Sequence, residues 1–161
     1  MAQVLVGIGS SIDKQNNIRL GIQALQKKFG ILKISPIYES EAVGFTGCNF
    51  YNLVVSFDSL LGAQAIINQL KRIEIEQGRP ENAIKLAPRT LDLDLLLHAQ
   101  LINSEIDIPR AEILTNAFVL KPLSELVPLL KHPILNQTYE VLWRNFPKTQ
   151  QKLWQIDAMI N

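Results

Sequence analysis

One cysteine, two histidines and no hydrophobic run of membrane-spanning length bound what this 161-residue chain can be. Cys48 alone cannot form an internal disulfide, so the fold must rest on its core, and a lone thiol fits a reducing compartment. His98 and His132 have no neighbours at metal-ligand spacing and read as structural or surface groups. No apolar stretch reaches the ~20 residues that cross a bilayer. Met1-Ala2-Gln3-Val4 lacks the basic start of a secretory leader. Sixteen basic residues stand against fifteen acidic ones, a net charge of +1, which gives neither nucleic acid nor an anionic membrane a general attraction. A Walker A loop, a dinucleotide-binding turn, a nucleophile elbow and the protein-kinase motifs are all missing. Gly7-Ile8-Gly9-Ser10-Ser11 is too short in spaced glycines to cradle phosphate and reads as close strand packing. The expectation is a soluble, cytoplasmic, monomeric protein with neither nucleic-acid nor membrane partners.

What is present is apolar residue: 47% of the chain, enough for one sizeable core and one domain over residues 1–161. Val4 to Ile8 predicts a buried strand. Ser11 or Asp13 can cap a helix carrying Ile18, Ile22, Leu25 and Phe29, with Gly30 at its end. Ile31 to Val43 reads as an extended segment bent at Ser35-Pro36, and Phe50 to Phe57 as a strand. A second helix runs from near Leu61 to Gly78 on Ala65, Ile66, Leu70, Ile73 and Ile75. An acid-bearing strand follows, then a short return strand at Leu101-Ile102 and a less regular half. That half holds Phe118 to Leu123 and a helix around Tyr139 to Phe146, against which Trp143 and Trp154 are expected to pack the core. Strand, helix, strand, strand, helix, strand is the ferredoxin-like βαββαβ order, so the predicted fold is an α+β sandwich with a mainly antiparallel sheet and extra C-terminal elements.

The most informative stretch is Ala87-Pro88-Arg89-Thr90-Leu91-Asp92-Leu93-Asp94-Leu95-Leu96-Leu97. On a strand, Asp92 and Asp94 point one way while Leu91, Leu93 and Leu95 point the other. Two carboxylates on one face repel unless a cation lies between them, and a hard cation such as magnesium with phosphate is the common resolution. Two acids simply facing water is the plain alternative. The run through Leu97 argues against it, because it implies a strand covered on both faces and hence acids at a pocket. The preceding loop, Arg79 to Pro88, is long enough to serve as a lid, and Arg79, Lys85 and Arg89 suit triphosphate charge. Lys71 and Glu74 lie one helical turn apart and read as a surface pair.

These residues resemble the 6-hydroxymethyl-7,8-dihydropterin pyrophosphokinase family over nearly the whole chain. The likeness rests on Ala87 to Leu96, Val6-Gly7-Ile8-Gly9-Ser10, Ile37-Tyr38-Glu39-Ser40, Phe50-Tyr51-Asn52, Arg72-Ile73-Glu74, Gln77-Gly78-Arg79, and Phe118-Val119-Leu120 with Pro122 to Leu126. It implies transfer of the ATP pyrophosphoryl group to a dihydropterin hydroxymethyl, with release of AMP, in folate biosynthesis. It also implies that Asp92 and Asp94 bind two Mg²⁺. The pterin would lie between Phe50 and Phe118, read by Asn52 and by groups near Ser40, Val43 and Gly44, with Asp92 touching both pterin and metal. Lys71, Glu74, Arg79, Lys85, Arg89, Leu95 and Arg110 would meet ATP, with Arg79 and Arg89 also catalytic. Departures from the family pattern fall on the nucleotide side: Arg110 stands for a usual His, Asn116 for an Arg, Lys71 for a Gln, Ala111 for a larger partner, and Glu81 and Leu86 lie in a thinned lid. Weakened or rearranged ATP binding is therefore expected, with Arg110 and Lys71 as compensating charges. The second functional reading is a weakened relative that binds pterin or nucleotide without turnover.

Overall fold

The computed structural model describes residues 1–41, 49–78, 91–148 and 151–157. Its organising strand is β1 (Ala2–Ser10), apolar on both faces because it is central. β1 pairs antiparallel with β4 (Phe50–Ser59) from Ala2↔Ser59 to Ser10↔Tyr51, and on its other side with β5 (Asp92–His98). β2 (Lys33–Ile34) and β3 (Ile37–Ser40) both pair with β4. They are two strands because Pro36 cannot donate to a ladder. Ser35 holds the bend to β4: its N–H donates to the Val54 carbonyl and its Oγ accepts from the Val54 N–H, both at 2.9 Å. A C-terminal strand, β6 (Leu153–Ile156), adds to β3, giving the order β5-β1-β4-β3-β6 with every described pair antiparallel.

Each face of this sheet has its own core. On one lie α1 (Lys14–Phe29) and α2 (Ala63–Glu76), whose Ile18, Ile22, Leu25, Ile66, Leu70 and Ile73 pack on Val4, Val6, Ile8, Val55, Leu91, Leu93 and Leu95. On the other lie α3 (Ala117–Leu126) and α4 (Tyr139–Arg144), packed on Leu5, Val54, Leu96 and Leu97. Burial of each such side chain contributes about 1.5–3 kcal/mol. The order β1, α1, β2/β3, β4, α2, β5 is the expected ferredoxin-like α+β sandwich, with α3, α4 and β6 as its additions.

Several expectations change. Leu101 and Ile102 are exposed and form no strand; the chain closes there through an Asn103↔Ile108 bridge around a 3-10 turn, Ser104–Ile106. The segment after Ala117 is a helix despite Pro122, because five of its residues besides that proline are buried against the sheet and neighbouring helix. Asp13 precedes α1 but its side chain makes no cap bond, since its backbone is left-handed at φ 43°. Ile75 is exposed and adds nothing to the core. Trp143 stacks on Phe146, but Trp154 lies exposed on β6. Among the described residues no helix is long and apolar enough to cross a membrane.

Gly21 and His132 each bear on stability in a distinct way. A Cβ on Gly21 would sit 2.9 Å from Leu91 Cδ1, so the glycine lets α1 rest on the residue that leads into β5. Gly21→Val should cost about 1–3 kcal/mol in urea unfolding through overpacking; an unchanged midpoint would mean α1 does not bear on Leu91. His132 is buried, and its Nδ1 accepts from the N–H groups of Ile134 and Leu135 at 3.2 Å each. Burial lowers its pKa from the ordinary 6.5, so the unfolded chain takes up the proton first and stability falls as pH drops below that value. His132→Asn keeps an acceptor and should flatten the loss between about pH 6.5 and 5, measured as melting temperature against pH.

Candidate active site

β5 is an edge strand, and the groups that cover its outer edge explain how it holds two acids. The buried Glu74 on α2 accepts the Leu93 N–H at 2.6 Å, between the two aspartates. The Arg110 N–H donates to the Leu96 carbonyl at 3.0 Å. The ladder to β1 runs Gly9↔Asp92, Ile8↔Leu93, Gly7↔Asp94, Val6↔Leu95, then jumps to Leu5↔Leu97. Leu96 is the extra residue of a bulge, which is how Leu95 enters one core while Leu96 and Leu97 both enter the other. Asp92 and Asp94 thus share the α3 face, as the alternation predicts.

On that face the strands lay down two rows. One reads Asp92, Gly9, Asn52, Tyr38, and the next Asp94, Gly7, Val54. The glycines leave the floor bare: a Cβ on Gly9 would lie 3.0 Å from Asn52 Oδ1 and fill the space between Asn52 and Asp92. A cleft of about 230 Å³ opens above it, lined also by Ser40, Phe50, Leu96, Glu112, Asn116, Phe118 and Val119. Asn52 Nδ2 donates to Ser40 Oγ at 3.1 Å, which fixes the amide and aims its edge along the floor. The result is a cleft whose lining is mainly apolar, with polar side chains converging on it, of a size for one small ligand.

Charge gathers at one end. Burial first, and then the neighbouring Asp92, push the Asp94 carboxyl up from 3.8 to about 7, with Arg110 pulling the other way. Arg110 lies 3.5 Å from Asp94 Oδ1, 2.9 Å from Glu112 Oε1 and 3.9 Å from Asp107 Oδ2. Burial disfavours its charge, but Asp94, Glu112 and Asp107 outweigh that and raise its pKa further. Its buried Nε has no acceptor among the described residues. One guanidinium therefore faces three carboxylates.

Of the residues expected at a site, Ser40, Phe50, Asn52, Asp92, Asp94 and Phe118 line this one cleft, and Arg110 flanks it. Glu74 is not half of a surface pair with Lys71: it is buried against Leu93, while Lys71 is exposed on α2. The Leu95 side chain is buried in the core on the opposite face of β5. Val43, Gly44, Arg79, Lys85 and Arg89 lie outside the described residues, as does the proposed lid. Sequence reasoning missed Glu112 and the floor role of Gly7 and Gly9. The signal for the glycines was their alternation with Val6 and Ile8 on a central strand; Glu112 had none.

Comparison with known proteins places this architecture. The family model of 7,8-dihydro-6-hydroxymethylpterin-pyrophosphokinase matches residues 5–128. The chain is 36% identical over 138 residues to the 2-amino-4-hydroxy-6-hydroxymethyldihydropteridine pyrophosphokinase of Aquifex aeolicus, covering 83% of this chain and 86% of that protein. It is 32% identical over 140 residues to the Pseudomonas aeruginosa protein of the same name, covering 81% and 84%. It also matches the folate synthesis bifunctional protein of Arabidopsis thaliana at 34% identity, with 78% of this chain covered but only 27% of that longer protein. In fold it is similar to Plasmodium falciparum HPPK-DHPS, with a TM-score of 0.68 at 13% identity, covering 89% of this chain and 42% of that one. From Leu5 through the acid-bearing strand to the end of the α3 helix, the chain belongs to the 7,8-dihydro-6-hydroxymethylpterin-pyrophosphokinase family.

Proposed function

We propose that the chain catalyses pyrophosphoryl transfer from ATP to 6-hydroxymethyl-7,8-dihydropterin, with the cleft above Gly7 and Gly9 as its pterin site. The observation that carries this is the placing of a flat-ligand slot and a carboxylate pair on adjacent rows of one sheet face. In the slot, Phe50 and Phe118 supply apolar walls and Asn52 supplies directional hydrogen bonding to a heteroaromatic edge. Asp92 sits across Gly9 from Asn52, so the ring's hydroxymethyl arm directed that way lies against the acids. The pterin oxygen forms a bond to the β-phosphorus of ATP as the bond to the bridging oxygen of AMP breaks, and one proton is released.

The donor set fits magnesium. Asp92 and Asp94 are oxygen ligands on one face, and among the described residues no group of three or more histidine, cysteine or acidic side chains completes an all-protein cage. Magnesium characteristically takes one or two carboxylates and fills its remaining positions with water and phosphate. Held by Asp92 and Asp94, two Mg²⁺ would offset charge on the triphosphate and the attacking oxygen. Arg110 opposes the charge of Asp94 from beside the cleft. Arg79, Lys85, Arg89, Val43 and Gly44 are assigned to ATP or pterin by family likeness alone, and Lys71, Glu74 and Leu95 to the nucleotide side on the same ground. Monomeric state and a cytoplasmic setting belong to the same proposal.

Three outcomes follow. In an assay for AMP formation dependent on ATP, Mg²⁺ and the hydroxymethyldihydropterin, Asp92→Asn and Asp94→Asn should each lose about 10³-fold in turnover with the fold intact by circular dichroism. Turnover within threefold of the unaltered chain would sink the assignment. Asn52→Ala should raise the pterin Kd about tenfold or more while leaving the ATP-analogue Kd alone, since it removes the slot's fixed amide. Metal-free stability should also depend on pH in a defined sense. Folded, Asp94 keeps its proton up to about pH 7, against 3.8 ordinarily, so the folded chain holds the extra proton and stability declines as pH rises through that window. Asp94→Asn should flatten the decline; an equally steep curve would locate the effect elsewhere.

A further inference from the structure

The two walls of the cleft are joined by a segment that lies beyond the family match, which ends at residue 128. α3 carries Phe118 in its first turn, and its N-terminus starts from Asn116. A helix start leaves backbone N–H groups without intrahelical partners, and an N-cap side chain normally accepts one of them. Asn116 does not: its side chain donates instead to Glu112 Oε2 at 3.3 Å. The acceptor comes from Gln151, whose Oε1 takes the Ala117 N–H at 2.7 Å. The same amide donates through Nε2 to the Thr115 carbonyl, also at 2.7 Å. Gln151 thereby brackets Asn116 on both sides.

The clamp is chemically selective. It needs one donor and one acceptor on a single planar group, which a primary amide has and a carboxylate or ammonium lacks. Two residues further on, Leu153 pairs with Ser40 in β3, the opposite wall, and Trp154 Nε1 donates to Glu39 Oε1 at 3.0 Å. One short segment therefore ties the Phe118 wall to the Ser40 wall while no residue of it lines the cleft. We propose that Gln151 is a positioning residue for the pterin slot: by clamping Thr115 and Ala117 it sets the spacing of Phe118 and Asn116 from Ser40, and so the grip on the flat ligand. The inference rests on the pterin reading given above.

The test separates grip from general stability. Pterin Kd is measured by fluorescence titration, and KM for each substrate by AMP formation, in the unaltered chain, Gln151→Ala and Gln151→Glu. By loosening one wall of the slot without removing a group that touches the ligand, Gln151→Ala should raise the Kd and KM for the pterin about tenfold, with ATP KM and kcat within about twofold. Gln151→Glu keeps the acceptor but loses the donor, and should fall between the two. A lowered melting temperature with unchanged pterin Kd, or an ATP KM that rises as much as the pterin KM, would overturn the proposal. If the unaltered chain binds pterin and Gln151→Ala binds it equally, this inference alone fails. If the unaltered chain does not bind pterin, the pyrophosphokinase reading fails and takes this inference with it.

Discussion

Everything about the site depends on keeping two carboxylates on the same face of a strand that is otherwise buried. Asp92 and Asp94 destabilise one another, and burial adds to the cost. The chain tolerates the pair through three local devices. Glu74 and the Arg110 backbone satisfy the outer edge of β5, so the strand stays straight through the acids. A bulge at Leu96 then returns the strand to the second core. The Arg110 guanidinium stands 3.5 Å from Asp94 as a resident counter-charge.

The same register that aligns the acids clears the slot beside them. Because Gly9 pairs with both Asp92 and Asn52, and Gly7 with both Asp94 and Val54, two glycines on a central strand open a floor between an amide and a pair of acids. Any larger residue at position 9 would meet Asn52. On the proposed reading, Asn52 and the two acids stand on adjacent rows of one sheet, the proximity that transfer chemistry needs. Of the aromatic walls, Phe50 stands on β4, while Phe118 sits at the start of a helix whose cap acceptor comes from Gln151 and not from Asn116.

Local pattern made much of this legible. The parity of Asp92 and Asp94, the helical spacing of Ile18, Ile22 and Leu25, and the bend at Ser35-Pro36 are all short-range facts, and each was readable before any tertiary structure. What could not be read depends on contacts between distant parts of the chain. Glu74 looked like one half of a surface pair because Lys71 is a turn away, yet a strand 19 positions later supplies the N–H it accepts. Pro122 disguised α3, whose helicity comes from burial and not from propensity. Trp154 read as core by its type, but the strand it sits on extends the sheet at its outer edge. Arg110 was identified as an unusual charge, though only the fold shows which three carboxylates share it.

The central claim is that the divalent cation sits on the Asp92–Asp94 face beside the bare glycine floor. Paramagnetic relaxation by Mn²⁺, added with a non-hydrolysable ATP analogue, tests it directly. The account predicts that the amide signals of Gly7 and Gly9 and the methyl signals of Leu96 and Val119 broaden first, and that the Asp92→Asn, Asp94→Asn double variant abolishes the effect. Broadening centred on another part of the surface, or unchanged in that variant, would contradict it.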